Sequence, residues 1–284
     1  MRQLDPPATA DVRWFQKIVD AKHNPTKAHL TSAKTVVIGC YRQYVAVAPA
    51  VDTVPGAILG AEQRAALLHA YERETAPMAR LRGRLLGPVS VRRCPFCGLS
   101  EAGTLDHYLP KETYPEYAVF PKNLVPCCSI CNLRKQRLVV DQARQVRLFL
   151  HPYYDDIPNT RFLTLEVRLR RSAIVLRYRL FKPAAVPRAV FVHLQNHFDL
   201  LKLADRYRVM SLDELRGRFG AISDQYGPEQ NARRLSNFLA QEAASYSAEY
   251  GLNHWRAVLY ATLADHNDFC DGGFVAIVGR DDQH

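Results

Sequence analysis

The fold of this chain is decided by CPFCGLSEAGTLDHYLPK (residues 94–111) and KNLVPCCSICNLRK (residues 122–135). Each stretch holds a Cys-x-x-Cys pair, Cys94 with Cys97 and Cys128 with Cys131, and thirty residues separate the pairs. A Cys-x-x-Cys turn brings two thiolates close enough to share a metal ion, and two such turns complete a tetrahedral zinc site. Because four thiolates leave no open position, the pattern predicts a structural zinc ion.

The chain has seven cysteines, and five of them fall within 38 residues. An odd, clustered set without a signal peptide favours reduced thiolates and a metal over disulfides. Cys127 precedes Cys128, which leaves two registers open, and Cys128 is preferred because it alone forms Cys-x-x-Cys with Cys131. Buried free cysteines and a redox motif are the alternatives, and the second pair argues against the redox motif. Cys40 and Cys270 are expected to be small buried hydrophobes.

Between and after the cysteine pairs lies an ordered set of polar residues: Asp-His-x-x-Pro-Lys from Asp106, Asn-Leu-Val-Pro from Asn123, and Asn-x-x-Lys from Asn132. This order, inside two Cys-x-x-Cys pairs, resembles the HNH nuclease family in its zinc-stapled form. The resemblance covers about 45 residues, roughly a sixth of the chain. About a dozen positions match in the correct order, whereas the flanking regions carry no motif of this family.

The resemblance implies a ββα-metal module around one divalent ion. It assigns His107 as the general base that deprotonates the attacking water, Asp106 as one metal ligand and Asn132 as the second. Asn123 would brace the loop and orient His107 through its side-chain amide. The family often has histidine where this chain has Asn132, and an oxygen-rich site suits Mg²⁺ or Mn²⁺ as the catalytic ion.

Basic residues near this motif are expected to contact nucleic-acid phosphates. The resemblance points to Lys111, Arg134 and Lys135 for this role. In the C-terminal region, Arg168 and Arg177 lie on one face of two alternating runs and are predicted to grip a nucleic-acid backbone. A solvated face that resists aggregation is the alternative explanation for these arginines.

The predicted fold class is α+β: a small ββα-metal HNH module with a structural zinc, within a mainly helical chain that has one β-hairpin. We expect an N-terminal helical region over 1–89, the nuclease module over 90–150, and a hairpin with a helical region over 151–284. In the first region, apolar spacing predicts helices, with Pro77 starting a new helix or kinking the last one. Their expected ranges are 12–21, 33–47 and 61–86, with a loop over 52–60.

The C-terminal region begins with alternation of apolar and polar residues over 162–169 and 174–181, which predicts a β-hairpin turning at residues 170–172. Its apolar side carries leucines, and its polar side is rich in arginine. The segment that starts at Ser211 reads as a capping box and predicts a helix start. Further helices are expected over 228–250, ended by Gly251, and over 255–264.

The formal net charge of +10, from 38 Lys and Arg against 28 Asp and Glu, favours a polyanionic partner. DNA is the expected substrate, with RNA as the alternative. Neither a membrane span nor a secretion signal is predicted, so a cytoplasmic protein is expected. The leading hypothesis is a metal-dependent endonuclease, acting as effector of an antiphage or restriction complex with other subunits. The rival hypothesis is a zinc-stapled nucleic-acid-binding module without catalysis.

Overall fold

The computed structural model describes residues 1–87, 93–170 and 173–278 of the chain. Helices alternate with small antiparallel hairpins, so the predicted α+β class is confirmed. The chain divides into two compact units. We call Arg2–Asp156 the N-terminal unit, and Ile157–His284 together with Met1 the C-terminal unit.

Four helices form the first half of the N-terminal unit. The second helix begins at Thr26, earlier than the predicted residue 33, because Leu30 already belongs to its buried stripe. The predicted third helix is two helices, and Pro77 lies in the first turn of the second, where a missing backbone N–H costs nothing. Their bounds are α1 Asp11–Asp20, α2 Thr26–Val47, α3 Ala61–Glu72 and α4 Ala76–Leu86.

The second half of the N-terminal unit is a β-hairpin followed by a short helix. Strand β1 (Thr104–His107) pairs antiparallel with β2 (Leu124–Cys127), and the register sets Asp106 opposite Val125. Helix α5 (Ser129–Lys135) follows β2 directly and contacts β1, while α4 packs on both strands. A second small hairpin consists of β3 (Val140–Asp141) and β4 (Val146–Arg147).

The N-terminal unit continues to Asp156, beyond the end predicted for the nuclease region at residue 150. Buried polar contacts hold this extension. The Arg147 guanidinium donates to both carboxylate oxygens of Asp155, at 2.9 and 2.6 Å, and the Tyr44 hydroxyl lies 2.9 Å from Nε2 of His151. The first two predicted regions therefore share one compact unit, and the boundary predicted between residues 89 and 90 lies outside the described residues.

The C-terminal unit begins with the predicted hairpin. Strand β5 (Leu163–Arg170) pairs antiparallel with β6 (Ala173–Leu180) along their full length. Leu165, Leu176 and Tyr178 are buried on one face, while Arg168 and Arg177 are exposed on the other. The predicted apolar and arginine-rich faces are thus confirmed, whereas Arg171 and Ser172 of the predicted turn lie outside the described residues.

Helices complete the C-terminal unit. The predicted helix start at Ser211 is wrong, because Ser211 lies inside α7 with its hydroxyl buried 2.8 Å from the Tyr178 hydroxyl. The helix predicted from residue 228 begins at Ala232, since the Asn231 side chain accepts the N–H of Arg234 and caps it. Among the described residues, no helix is long and apolar enough to cross a membrane. The bounds are α6 Arg188–Leu200, α7 Leu203–Gly217, α8 Phe219–Tyr226, α9 Ala232–Tyr250, α10 Trp255–Ala264 and α11 Asn267–Cys270.

Candidate functional site

Four cysteines from the two Cys-x-x-Cys turns meet in the N-terminal unit. The sulfur atoms of Cys94, Cys97, Cys128 and Cys131 all lie within 4.8 Å of one another, and all four residues are buried. The first turn closes with a 2.7 Å hydrogen bond from the N–H of Gly98 to the Cys94 carbonyl. Gly98 has a φ of 69°, a left-handed conformation that glycine adopts without steric cost. This is the set of cysteines predicted from the sequence.

The geometry of the cysteine cluster fits a zinc ion. Tetrahedral zinc with bonds of about 2.3 Å to sulfur requires sulfur–sulfur distances of roughly 3.8 Å. Sγ of Cys97 and Sγ of Cys128 are 3.9 Å apart. Backbone N–H groups of Leu99 and Cys131 point at sulfurs of the cluster, at 3.5 and 3.4 Å, as donors do around thiolates. Hydrogen bonds from the thiols of Cys131 and Cys94 lower the pKa of Cys128, whereas burial raises the pKa of Cys94. The four cysteines can therefore hold a zinc ion.

A cavity of 660 Å³ lies at the end of β1 and beside α5. Asp106, His107 and Asn132, which come from two separate stretches of sequence, all line it. Strand β1 supplies the first two, and the antiparallel pairing with β2 brings α5 against β1. The cavity therefore gathers the three residues that the sequence predicted to act together.

His107 is held in one orientation at this cavity. Its Nε2 lies 2.8 Å from the carbonyl oxygen of Ala118, so this nitrogen carries the proton and donates it to the carbonyl. The other nitrogen, Nδ1, is then the acceptor of the ring. Burial lowers the pKa of His107 to about 4, so the imidazole is neutral near neutral pH.

Asp106 forms a buried ion pair with Lys135. Oδ2 of Asp106 lies 3.0 Å from Nζ of Lys135, and their side chains are 3% and 1% exposed. Nζ donates to the carbonyls of His107 and Tyr108, both at 2.9 Å, whereas no hydrogen bond of good geometry reaches Oδ2 from the described residues. Burial raises the pKa of Asp106, and the charge of Lys135 opposes this rise.

The phosphate contact predicted for Lys135 is wrong. Its ammonium group turns into the protein and joins the end of β1 to α5, so it does not reach a nucleic acid at the surface. Arg134, its neighbour on α5, is exposed. Consecutive helical residues point about 100° apart, so a run of two basic residues can place one inside and one outside.

Replacing Lys135 by methionine is expected to destabilise the N-terminal unit by about 3–5 kcal/mol, because the carboxylate of Asp106 is left buried without a counter-charge. Urea unfolding measures this loss. Arg134→Met is the matched control and should change stability by less than about 0.5 kcal/mol. Adding Asp106→Asn to Lys135→Met should recover part of the loss. Equal stability of the Lys135 and Arg134 variants would contradict the buried ion pair.

Asn132 and Asn123 are both placed by side-chain hydrogen bonds. Nδ2 of Asn132 donates to the Thr104 hydroxyl at 3.3 Å, a bond that does not use its side-chain oxygen. Asn123 is fully buried, and its Nδ2 donates to the carbonyls of Leu109 and Tyr117 at 3.0 and 3.4 Å. Asn123 thus holds the loop backbone and also accepts the Tyr44 hydroxyl at 3.1 Å through its Oδ1, and none of these bonds runs to the His107 ring as predicted. The carbonyl of Ala118, next to Tyr117, orients His107 instead.

The remaining predicted basic residues differ in their surroundings. Lys111 lines the cavity but forms ion pairs with Glu72 at 2.6 Å and Glu112 at 3.2 Å. Arg134 is exposed, and no ion pair reaches it from the described part of the chain. Arg168 and Arg177 belong to the C-terminal unit, where Arg168 pairs with Glu166 and Arg177 lies across from Glu166 in the hairpin register.

Three groups at the site were not predicted from the sequence. Tyr71 of α3 lines the cavity, and its ring packs on His107. The Thr104 hydroxyl bonds Asn132, and the Ala118 carbonyl accepts from His107. The sequence could have indicated Thr104, since alternation along β1 places it on the same face as Asp106. No sequence pattern could have indicated Tyr71, because it lies far along the chain from the two Cys-x-x-Cys pairs.

Comparison with known proteins adds one distant relative. The chain is 28% identical to Protein ea31 of Escherichia phage lambda over 204 residues. This match covers 64% of the chain and 65% of the phage protein, which is less than two thirds of that protein's length. No model of a protein family matches the chain, and no solved structure matches it.

Proposed function

We propose that this chain is a metal-dependent HNH endonuclease that hydrolyses phosphodiester bonds. The observation that carries the proposal is the convergence of Asp106, His107 and Asn132 on one cavity. Asp106 and His107 lie on a β-hairpin between the two halves of the cysteine cluster, and Asn132 follows the last cysteine on the next helix. This arrangement is what the resemblance to the ββα-metal module led us to expect.

His107 is suited to act as the general base. Its protonated nitrogen is engaged by Ala118, which leaves Nδ1 to take a proton from an attacking water. The ring is neutral because burial lowers its pKa to about 4. A bound phosphodiester anion would raise this pKa, whereas the divalent ion would lower it, so the ring would stay neutral and able to accept a proton.

Asp106 and Asn132 are suited to hold a divalent ion. Asp106 lines the cavity with a carboxylate whose Oδ2 it would share between the ion and the ammonium of Lys135, which lies 3.0 Å away, and Asn132 keeps its side-chain oxygen out of its bond to Thr104. Within the described residues, the four cysteines are the one group of three or more His, Cys, Asp or Glu suited to a metal. Two protein oxygen ligands would leave the other coordination positions of the ion to water and phosphate oxygens, which is the arrangement that Mg²⁺ and Mn²⁺ prefer. The ion would stabilise charge on the phosphate and on the leaving oxygen.

We assign a structural role to zinc at the four cysteines. The cluster is buried, and Cys128 also caps α5 by accepting the N–H of Cys131. Zinc bound there would fix the start of the helix that carries Asn132. The zinc and the catalytic ion would thus act separately, one on the fold and one on the phosphate.

A nucleic acid is the proposed substrate, with DNA preferred to RNA. The net charge of +10 favours a polyanion, and Arg134 offers an exposed guanidinium on the helix that carries Asn132. Lys111 would have to leave its two glutamate partners to contact a phosphate. In the C-terminal unit, Arg168 and Arg177 offer an exposed basic face for the backbone.

Supercoiled plasmid DNA provides the direct test. We expect the purified chain to convert it to nicked or linear DNA with Mg²⁺ or Mn²⁺ and to stop when EDTA is added. Single-stranded RNA in the same buffer tests the other substrate. If neither is cut with any divalent ion while gel shifts show binding, the non-catalytic zinc-stapled binding module replaces the enzyme. The shared cavity of Asp106, His107 and Asn132 favours the enzyme, because binding alone requires no such convergence.

We further propose, from the family resemblance alone, that the chain serves an antiphage or restriction complex as its effector. The similarity to a phage protein gives this setting no support, and the proposed chemistry does not depend on it. Co-purification of partner subunits from the native host would support the setting. Full and regulated cleavage by the isolated chain would argue against it.

A further inference from the structure

The end of helix α3 forms a wall of the cavity, although it lies outside the cysteine frame. Tyr71 lines the cavity, and the next residue, Glu72, holds Lys111 at 2.6 Å. Two consecutive residues of the N-terminal helices thus contact two residues of the proposed nuclease site. The site is therefore completed by a part of the chain that carries no nuclease motif.

The Tyr71 ring packs against the imidazole of His107. Their ring centroids are 4.3 Å apart with an interplanar angle of 71°, an edge-to-face arrangement that aromatic rings favour. The hydrogen bond to Ala118 fixes one atom of the imidazole but leaves rotation about that bond. A ring packed on the imidazole restricts this rotation, so the two contacts together define the direction of Nδ1.

Tyr71 is itself held by the helix that follows. The guanidinium carbon of Arg82 on α4 lies 5.5 Å from the centroid of the Tyr71 ring. Nε of Arg82 in turn donates to Glu74 at 2.8 Å. A chain of contacts thus runs from Glu74 through Arg82 and Tyr71 to His107, and it fixes the ring that packs on the imidazole.

We propose that Tyr71 is a positioning residue for His107, whose ring holds the plane of the imidazole with Nδ1 available to the attacking water. The inference rests on the proposed nuclease function and extends it to the N-terminal helices. The aromatic ring, and not the hydroxyl, carries this role. Phenylalanine should therefore replace Tyr71, whereas leucine should not.

Kinetics of plasmid cleavage by three variants test the proposal. Tyr71→Phe should keep kcat within about twofold, and Tyr71→Leu should lower kcat about 10- to 100-fold with KM for DNA unchanged, as expected for a misplaced catalytic group. Tyr226→Leu is the matched control, because Tyr226 packs on Phe274 at the same interplanar angle of 71° in the C-terminal unit. It should leave kcat unchanged. A kcat that falls equally in Tyr71→Phe and Tyr71→Leu would overturn the role of the ring.

A second measurement does not depend on nuclease activity. In protein labelled with ¹⁵N-histidine, the Nε2–H signal of His107 is assigned by its loss in His107→Ala. Tyr71→Leu should broaden this signal or speed its exchange with water, while Tyr71→Phe and Tyr226→Leu preserve it. An unchanged signal in Tyr71→Leu overturns the positioning role even if wild-type protein cuts DNA. If wild-type protein does not cut DNA but the signal is lost in Tyr71→Leu, the proposed nuclease function is refuted, while the proposal that Tyr71 positions the His107 ring still stands.

Discussion

Replacement of His107 by alanine is expected to lower kcat for metal-dependent plasmid cleavage by about 10²- to 10⁴-fold, the usual contribution of a positioned general base. The physical reason is that the tautomer of His107 leaves a single ring nitrogen able to act as the base. Nε2–H is engaged by the Ala118 carbonyl at 2.8 Å, which leaves Nδ1 as the one ring atom able to accept a proton. Alanine removes that acceptor, and initial rates of plasmid nicking at saturating Mg²⁺ measure the loss.

A second variant separates this chemistry from folding. Alanine also leaves the Ala118 carbonyl without its donor, which costs about 1–3 kcal/mol if the carbonyl stays buried. His107→Gln supplies an amide N–H for that carbonyl but no basic nitrogen in place of Nδ1, because an amide oxygen accepts hydrogen bonds without taking up a proton near neutral pH. Both variants should show this loss of kcat, while His107→Gln melts near the wild-type temperature. His23→Ala, at an exposed histidine, is the control with full activity. Wild-type cleavage by His107→Gln would remove His107 from the role of base.

The cysteine cluster was predictable because its information is local. Two Cys-x-x-Cys turns set the geometry of each half, and Gly98 permits the first turn. The C-terminal hairpin was predictable for a similar reason, since alternation over eight residues fixes which side faces the core. The register from Leu163 opposite Leu180 to Arg170 opposite Ala173 follows that alternation.

Tertiary contacts determine the features that could not be predicted from the sequence. Ser211 has the pattern of a helix start, yet its hydroxyl is buried against Tyr178, a residue 33 positions away, and the helix runs through it. Lys135 looked like a phosphate ligand, but its partner Asp106 comes from a strand that precedes it by 29 residues. Tyr71 reaches His107 only because α3 packs against the loop between β1 and β2. In each case the deciding partner lies outside any local window.

Exchanging one cysteine of the adjacent pair Cys127 and Cys128 for serine is expected to separate metal binding from ordinary packing. Cys128→Ser should lose the bound zinc and unfold the module around it, because a structural zinc site contributes on the order of 10 kcal/mol, comparable to the stability of a whole domain. Serine remains a good helix N-cap, so α5 keeps its cap while the cluster loses a thiolate. Zinc per chain, from elemental analysis, and thermal melting measure the effect.

Cys127→Ser is the matched control for this experiment. Sγ of Cys127 lies 3.3 Å from the Thr104 hydroxyl, which can pair with a serine hydroxyl, and it stands outside the group of four sulfurs. This variant should keep about one zinc per chain and lose no more than about 1 kcal/mol. A zinc-selective chelator should unfold wild-type protein, whereas Mg²⁺ depletion should only stop cleavage. Equal zinc content in the two serine variants, or equal melting temperatures with and without zinc, would contradict the structural role of this cluster.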